Sequence, residues 1–203
     1  MNLNEQVKIL LEKSQKEFSV SDYLSHHSVG DIMENYCCNR ALDHFGSSCI
    51  KSKSKRSIED FTILQDKIIN YYDVKAHHIQ GNKKGFSMPN LVSIKRLKKL
   101  IKDGNKTLNY IFIDYTRDGN KITVVDAKVV NIYEIGWSNL TIGSLGYGQL
   151  QIKDNNKKVE IVPYDKESWE MNLKKMATNF YISLPSREMS ASSTQKKQII
   201  LET

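Results

Sequence analysis

A chain of 203 residues is long enough for one domain with a substantial core, with room for a small appended subdomain. At 39% hydrophobic and 26% charged it reads as an ordinary globular chain, and no apolar run approaches the ~18 residues that span a bilayer, which excludes a helical membrane protein. A net charge of +7 makes polyanions the favoured partners, nucleic acid ahead of an anionic membrane surface.

The opening run, MNLNEQVKILLEKSQKEF, mixes acids with bases and lacks the apolar block of a secretory leader, which predicts a cytoplasmic protein. Within it, Val7, Leu10 and Leu11 between charged residues predict a helix over 4–17. A second helix is predicted over 31–45, where Met33, Tyr36, Cys37, Ala41 and Phe45 recur at spacings of three and four; Gly46 and the serines after it stop the helix. The cysteines are Cys37, Cys38 and Cys49, an odd count that argues against a disulfide framework. On a helix, adjacent Cys37 and Cys38 point about 100° apart, poor geometry for a zinc shared with His44. Buried thiols are the expectation.

Residues 47–58 predict a basic polar loop. EDFTIL and IINYYDVKAHHI, separated by Gln65-Asp66-Lys67, predict a β-hairpin. After the polar stretch QGNKKGFS, Pro89 is expected to open a helix with an apolar stripe of Leu91, Val92, Ile94, Leu97, Leu100 and Ile101. LNYIFIDY and KITVVDAKVVNIY, joined by Arg117-Asp118-Gly119-Asn120, predict a second hairpin. Residues 136–148 predict a glycine-rich loop, followed by a hairpin of GQLQI with VEIVPY. Asp165 is expected to cap a last helix carrying Trp169, Leu173, Met176 and Phe180, with a loose polar tail beyond it. This order of elements predicts an α+β fold, a mixed β-sheet flanked by helices.

Residues 60–75 hold what phosphodiester hydrolysis requires: carboxylates to hold a cation near the phosphate, a means of activating water, and positive charge for an anionic transition state. Asp60 begins one strand of the hairpin. Asp73 and Lys75, two residues apart on its partner, point to one face. Asp126-Ala-Lys128 has the same form and follows Asp114 across the second hairpin. The first set is preferred because only Asp73-Val-Lys75 is followed by a helix able to pack back on the sheet. Its surroundings are also basic and polar, with His77, His78, Lys83 and Lys84 downstream. On the residues alone, a solvated ion pair on a strand edge stays open as an alternative.

IEDFTILQDKIINYYDVKAHHI followed by GFSMPNLVSIKRLKKLI resembles the catalytic segment of type II restriction endonucleases of the PD-(D/E)xK superfamily, on the side of the blunt-cutting HincII/EcoRV group. The resemblance covers residues 25–180 by motif order, with 58–102 its specific part. Gly30-Asp31-Ile32-Met33-Glu34 is similar to that family's helix with a glutamate near the site, and KESWEMNLKKMATNF to its C-terminal helix. It departs where Glu59 replaces the motif's proline, and in a longer stretch between Lys75 and Pro89.

The resemblance implies a restriction-endonuclease-like core in which Asp60 and Asp73 bind Mg²⁺, one or two ions per site. The carbonyl of Val74 would be a further ligand, Lys75 the catalytic lysine and Glu34 an accessory acid. It implies DNA contacts from Asn90, whose amide can pair with adenine, and from Ser87 and Met88 before Pro89. Further candidate DNA contacts are His77, Lys83 and Lys84, and Asn139, Thr141 and Tyr147 in the glycine-rich loop; the lysines at 51, 53 and 55 and Arg56 are candidate phosphate contacts.

The expected organisation is one endonuclease domain over 1–184. Helices over 1–46 would serve dimerisation and carry the accessory acid, the catalytic core would occupy 58–131, and the recognition loop, hairpin and C-terminal helix 132–184; a polar tail spans 185–203. The expected activity is Mg²⁺-dependent, sequence-specific cleavage of double-stranded DNA at a palindrome by a homodimer, blunt and leaving 5′-phosphates. A bacterial cytoplasmic setting, no membrane partner and a cognate DNA methyltransferase as companion go with it. A structure-specific repair or junction nuclease, or a DNA-binding protein without catalysis, are the alternatives.

Overall fold

The computed structural model describes residues 1–13, 17–19, 26–54, 57–79, 90–143, 148–153, 159–162 and 165–183. They fall into two compact units, 1–86 with 99–132, and 87–98 with 133–203.

The first unit is built on a six-stranded sheet of order β1-β7-β6-β4-β3-β2. Its strands are β1 (Glu17–Ser19), β2 (Cys49–Lys51), β3 (Phe61–Gln65), β4 (Ile68–His78), β6 (Lys106–Asp118) and β7 (Lys121–Asn131). β4 and β6 run parallel, whereas every other pairing is antiparallel. Parallel neighbours need a crossover, and the chain between them contains α3 (Ile94–Lys102).

Two helices supply the core of this unit, α1 (Leu3–Glu12) and α2 (His26–Phe45). Asn2 caps α1 by accepting the Glu5 N–H at 2.8 Å. Val29, Met33, Cys37 and Ala41 follow one another at intervals of four along α2 and are all buried. They join Phe61, Ile63, Tyr72, Val74, Ile111, Ile113 and Ile122 in one hydrophobic cluster. Because side chains alternate along a strand, sending Tyr72 and Val74 into this core turns Asp73 and Lys75 to the other face. The three cysteines are buried and free, and burial pushes the Cys37 thiol up to about 12, so they act as core packing.

The first hairpin closes on Asp66 and Lys67, both with positive φ (51° and 65°), the conformation of a two-residue type I′ turn. The second hairpin, β6 with β7, forms as expected, with Gly119 at φ 55° in its turn.

The second unit contains a three-stranded sheet of order β5-β9-β8, formed by β5 (Asn90–Ser93), β8 (Leu140–Gly143) and β9 (Gln149–Ile152). Its helix is α4 (Lys166–Ser183), capped by Asp165, which accepts the Ser168 N–H at 2.8 Å. Trp169 is fully buried, donates from Nε1 to Ile135 O, and meets the Trp137 ring at a centroid distance of 4.7 Å.

Several expectations from the sequence are corrected. The first helix ends at Glu12, not at 17, and the second begins at His26. Cys49–Lys51 is an edge strand, not loop, since it completes the ladder beside β3. The helix expected from Pro89 begins only at Ile94, where Ser93 Oγ accepts the Arg96 N–H; Asn90–Ser93 is a strand paired with β9. GQLQI does not pair with VEIVPY but with β8 and β5, and residues 159–162 contribute only a single bridge, Ile135 with Ile161. Part of the expected glycine-rich loop is therefore strand β8.

Candidate active site

Asp60 lies just ahead of β3, and its backbone already belongs to the ladder. Its N–H donates to Tyr72 O at 2.8 Å and its carbonyl accepts from Ser52 N at 2.8 Å. The paired register ends with Phe61 opposite Tyr72, which leaves Asp60 at the end of the ladder, beside the segment of β4 that carries Asp73. Asp60 Oδ2 accepts the Val74 N–H at 2.7 Å, which orients that carboxylate. The carboxyls of Asp60 and Asp73 lie near enough for each to influence the charge of the other. Lys75 shares the face of Asp73, and its Nζ lies 2.8 Å from both Oδ1 and Oδ2 of that residue.

The electrostatics follow from this crowding. Asp73 is only 7% exposed. Burial pushes its carboxyl up to about 7, opposed by the Lys75 ammonium and reinforced by Asp60. Asp60 is also raised, first by burial; the Val74 N–H and Lys75 draw it down, while the charge of Asp31 adds to the rise. Two buried carboxylates beside one ammonium carry an excess of negative charge that a cation would relieve.

The donor set fits Mg²⁺. Among the described residues no group of three or more His, Cys, Asp or Glu side chains is arranged for a metal. An ion held by Asp60 and Asp73 would therefore complete its shell with backbone, water or substrate oxygens, the manner in which Mg²⁺ is commonly bound.

The competing motif is arranged differently. Asp114 and Asp126 stand opposite each other in β6 and β7. Asp114 Oδ1 is 3.0 Å from His77 Nδ1, and Asp126 is paired with Lys128 at 3.5 Å. Each carboxylate has its own cationic or imidazole partner, so this pair lacks the carboxylate–carboxylate contact seen at Asp60 and Asp73.

The remaining candidates are spread more widely. Glu34 is half-buried on α2, but the helix acid whose charge reaches Asp60 is Asp31, one turn earlier. Sequence reasoning passed over Asp31, although the spacing of three puts both acids on one side of the helix. Asn90, Asn139 and Thr141 belong to the second unit. Asn90 accepts from Gln151 Nε2, and the buried Asn139 accepts the Glu160 N–H at 3.0 Å. Lys51 donates to Asn35 Oδ1 at 2.7 Å. Lys83, Lys84, Ser87, Met88 and Tyr147, with Lys55 and Arg56, lie outside the described residues.

No protein-family model and no curated protein sequence matches the chain. Among solved structures, the NlaIV restriction endonuclease is similar, with a TM-score of 0.57 and 17% identity over 96% of this chain and 85% of that one. The fold is accordingly a restriction-endonuclease-like α+β fold with a mixed sheet flanked by helices.

Proposed function

We propose that this chain is a type II restriction endonuclease that cleaves double-stranded DNA in the presence of Mg²⁺. The observation that carries the reading is the convergence of Asp60, Asp73 and Lys75 on one face of a sheet whose fold resembles that of a restriction endonuclease. In this reading Asp60 and Asp73, with the carbonyl of Val74, hold one or two Mg²⁺ ions. The ion supplies charge stabilisation at the phosphate and makes a bound water more acidic.

The rest belongs to the chain's own groups. The Val74 N–H keeps Asp60 turned toward Asp73. Lys75, tethered to Asp73 before substrate arrives, orients the attacking water and offsets the charge that builds on the phosphate. Burial of Asp73 keeps competing solvent away from its oxygens. Glu34 acts as an accessory acid on α2. Asn90, Asn139, Thr141, Tyr147, Ser87 and Met88 are candidate DNA contacts, with Lys83 and Lys84 as phosphate contacts and His77 as a further DNA contact.

A homodimer acting on a palindrome follows from matching a twofold protein to a twofold site. The motif order of the HincII/EcoRV group supports a blunt cut that leaves 5′-phosphates. A cognate methyltransferase and a bacterial cytoplasmic setting belong to the same reading.

The test is digestion of genomic DNA of known sequence with Mg²⁺, followed by sequencing of the fragment ends. Discrete fragments with blunt 5′-phosphate ends at one palindrome, absent with EDTA, are expected. Cleavage only at branched or damaged DNA would mark a junction or repair nuclease instead, and intact DNA on every substrate from a folded protein would refute a nuclease altogether.

A further inference from the structure

Beyond the trio, β4 carries an imidazole on the same face. Asp73, Lys75 and His77 occupy alternate positions and so project together. His77 stands opposite Asp114 in β6, and its Nδ1 lies 3.0 Å from Asp114 Oδ1. A carboxylate accepts only, so Nδ1 must carry the hydrogen. The pairing therefore fixes both the ring and its tautomer and leaves Nε2 as the nitrogen free to meet a ligand. Both side chains are partly open, 32% and 27% exposed.

The charged groups on this face beside His77 are Lys75 on its own strand, Asp114 on β6, and the Asp126–Lys128 pair on β7. Consecutive same-face positions on a strand lie roughly 6.6 Å apart, comparable to the separation of neighbouring phosphates along one DNA strand. A backbone lying along β4 with one phosphate at Asp73 and Lys75 would bring the next toward His77.

We infer that His77, oriented by Asp114, is a positioning residue that grips the phosphate adjacent to the scissile one. The inference rests on the nuclease reading and deepens it. With Nδ1–H given to Asp114, Nε2 donates to a phosphate only in the imidazolium form.

The test is binding of a short fluorescent mixed-sequence DNA duplex, with Ca²⁺ replacing Mg²⁺ to suppress cutting, titrated over salt. A phosphate contact is sequence-independent and has its own signature, a salt slope of about 0.9 per contact. His77→Ala is expected to weaken binding roughly tenfold and reduce the slope by about one. His77→Lys should restore both, a rescue that a purely structural role for His77 would not give. An unchanged slope in folded His77→Ala, or failure of the lysine to rescue, overturns the inference while leaving Mg²⁺-dependent cutting by the wild type intact. A wild type that neither cuts nor binds DNA overturns both readings.

Discussion

The two aspartates at the head of the first hairpin are held in an arrangement that is costly without a cation. The carboxyl of Asp73 titrates near 7 in the folded chain because burial disfavours its charge. In the unfolded chain it titrates near ~3.9. A carboxyl raised on folding contributes stability that is complete below the unfolded value and is lost as pH climbs through the folded one. The metal-free protein should therefore lose thermal stability between about pH 4 and 7. Mg²⁺ binds the ionised form, so it should raise the melting temperature more at pH 8 than at pH 5. Asp73→Asn should flatten both trends in differential scanning calorimetry, and an unchanged Mg²⁺ response in that variant would remove Asp73 from the metal site. For Lys75→Ala the expected loss is roughly 10²–10⁴-fold in single-turnover cleavage, with DNA binding retained. At this scale much was legible, because period-two alternation on a hairpin is enough to set Asp60, Asp73 and Lys75 on one face. Asp31 was not, because its influence on Asp60 depends on how α2 sits over the sheet, a tertiary fact that no local pattern records.

Elements read well where their signal was local and long. The β6–β7 hairpin, the second helix and α4 with its Asp165 cap follow from alternation, four-residue spacing and capping. The β5-β9-β8 sheet did not, because strands of four residues are too short to show a period and their pairing joins segments far apart in sequence. The turn of the first hairpin is a place where sequence and conformation disagree. Lys67 adopts φ 65°, where a residue with a Cβ costs about 1–2 kcal/mol. Glycine there would add about 0.5–1 kcal/mol of unfolded-state entropy to be lost on folding. The relief of strain is the larger effect, so Lys67→Gly should stabilise by about 0.5–1 kcal/mol, seen as a higher urea midpoint with unchanged m value. The ladder has a polar counterpart in buried Asn109, whose Oδ1 accepts from Asn4 and Asn131 and whose Nδ2 donates to Thr107 Oγ1 and Tyr71 O. Asn109→Ala leaves several of those groups unpaired at once and should cost about 2–4 kcal/mol by the same measurement.

At the scale of the molecule, topology gives two similar motifs different surroundings. Asp73-Val-Lys75 lies on β4, an interior strand flanked by antiparallel β3 and parallel β6, and the acid ahead of β3 is carried into contact with Asp73. Asp126-Ala-Lys128 lies on β7, next to the three-residue edge strand β1, in a register broken by a bulge after Asp114. There the side chain of Asp126 is 44% exposed and paired with its own lysine, so solvent screens the charge. Exposure of this degree leaves a carboxylate no reason to bind a divalent cation tightly, whereas the buried and crowded pair on β4 has one. Asp126→Asn should accordingly leave Mg²⁺-dependent cleavage within about twofold of the wild type, and Asp73→Asn should abolish it, losing at least roughly 10³-fold in rate. The comparison is made by single-turnover cleavage of one duplex at saturating protein, with circular dichroism to verify that both variants are folded. Loss of cleavage in Asp126→Asn alone would transfer the chemistry to β7 and leave the β4 trio as a structural ion pair.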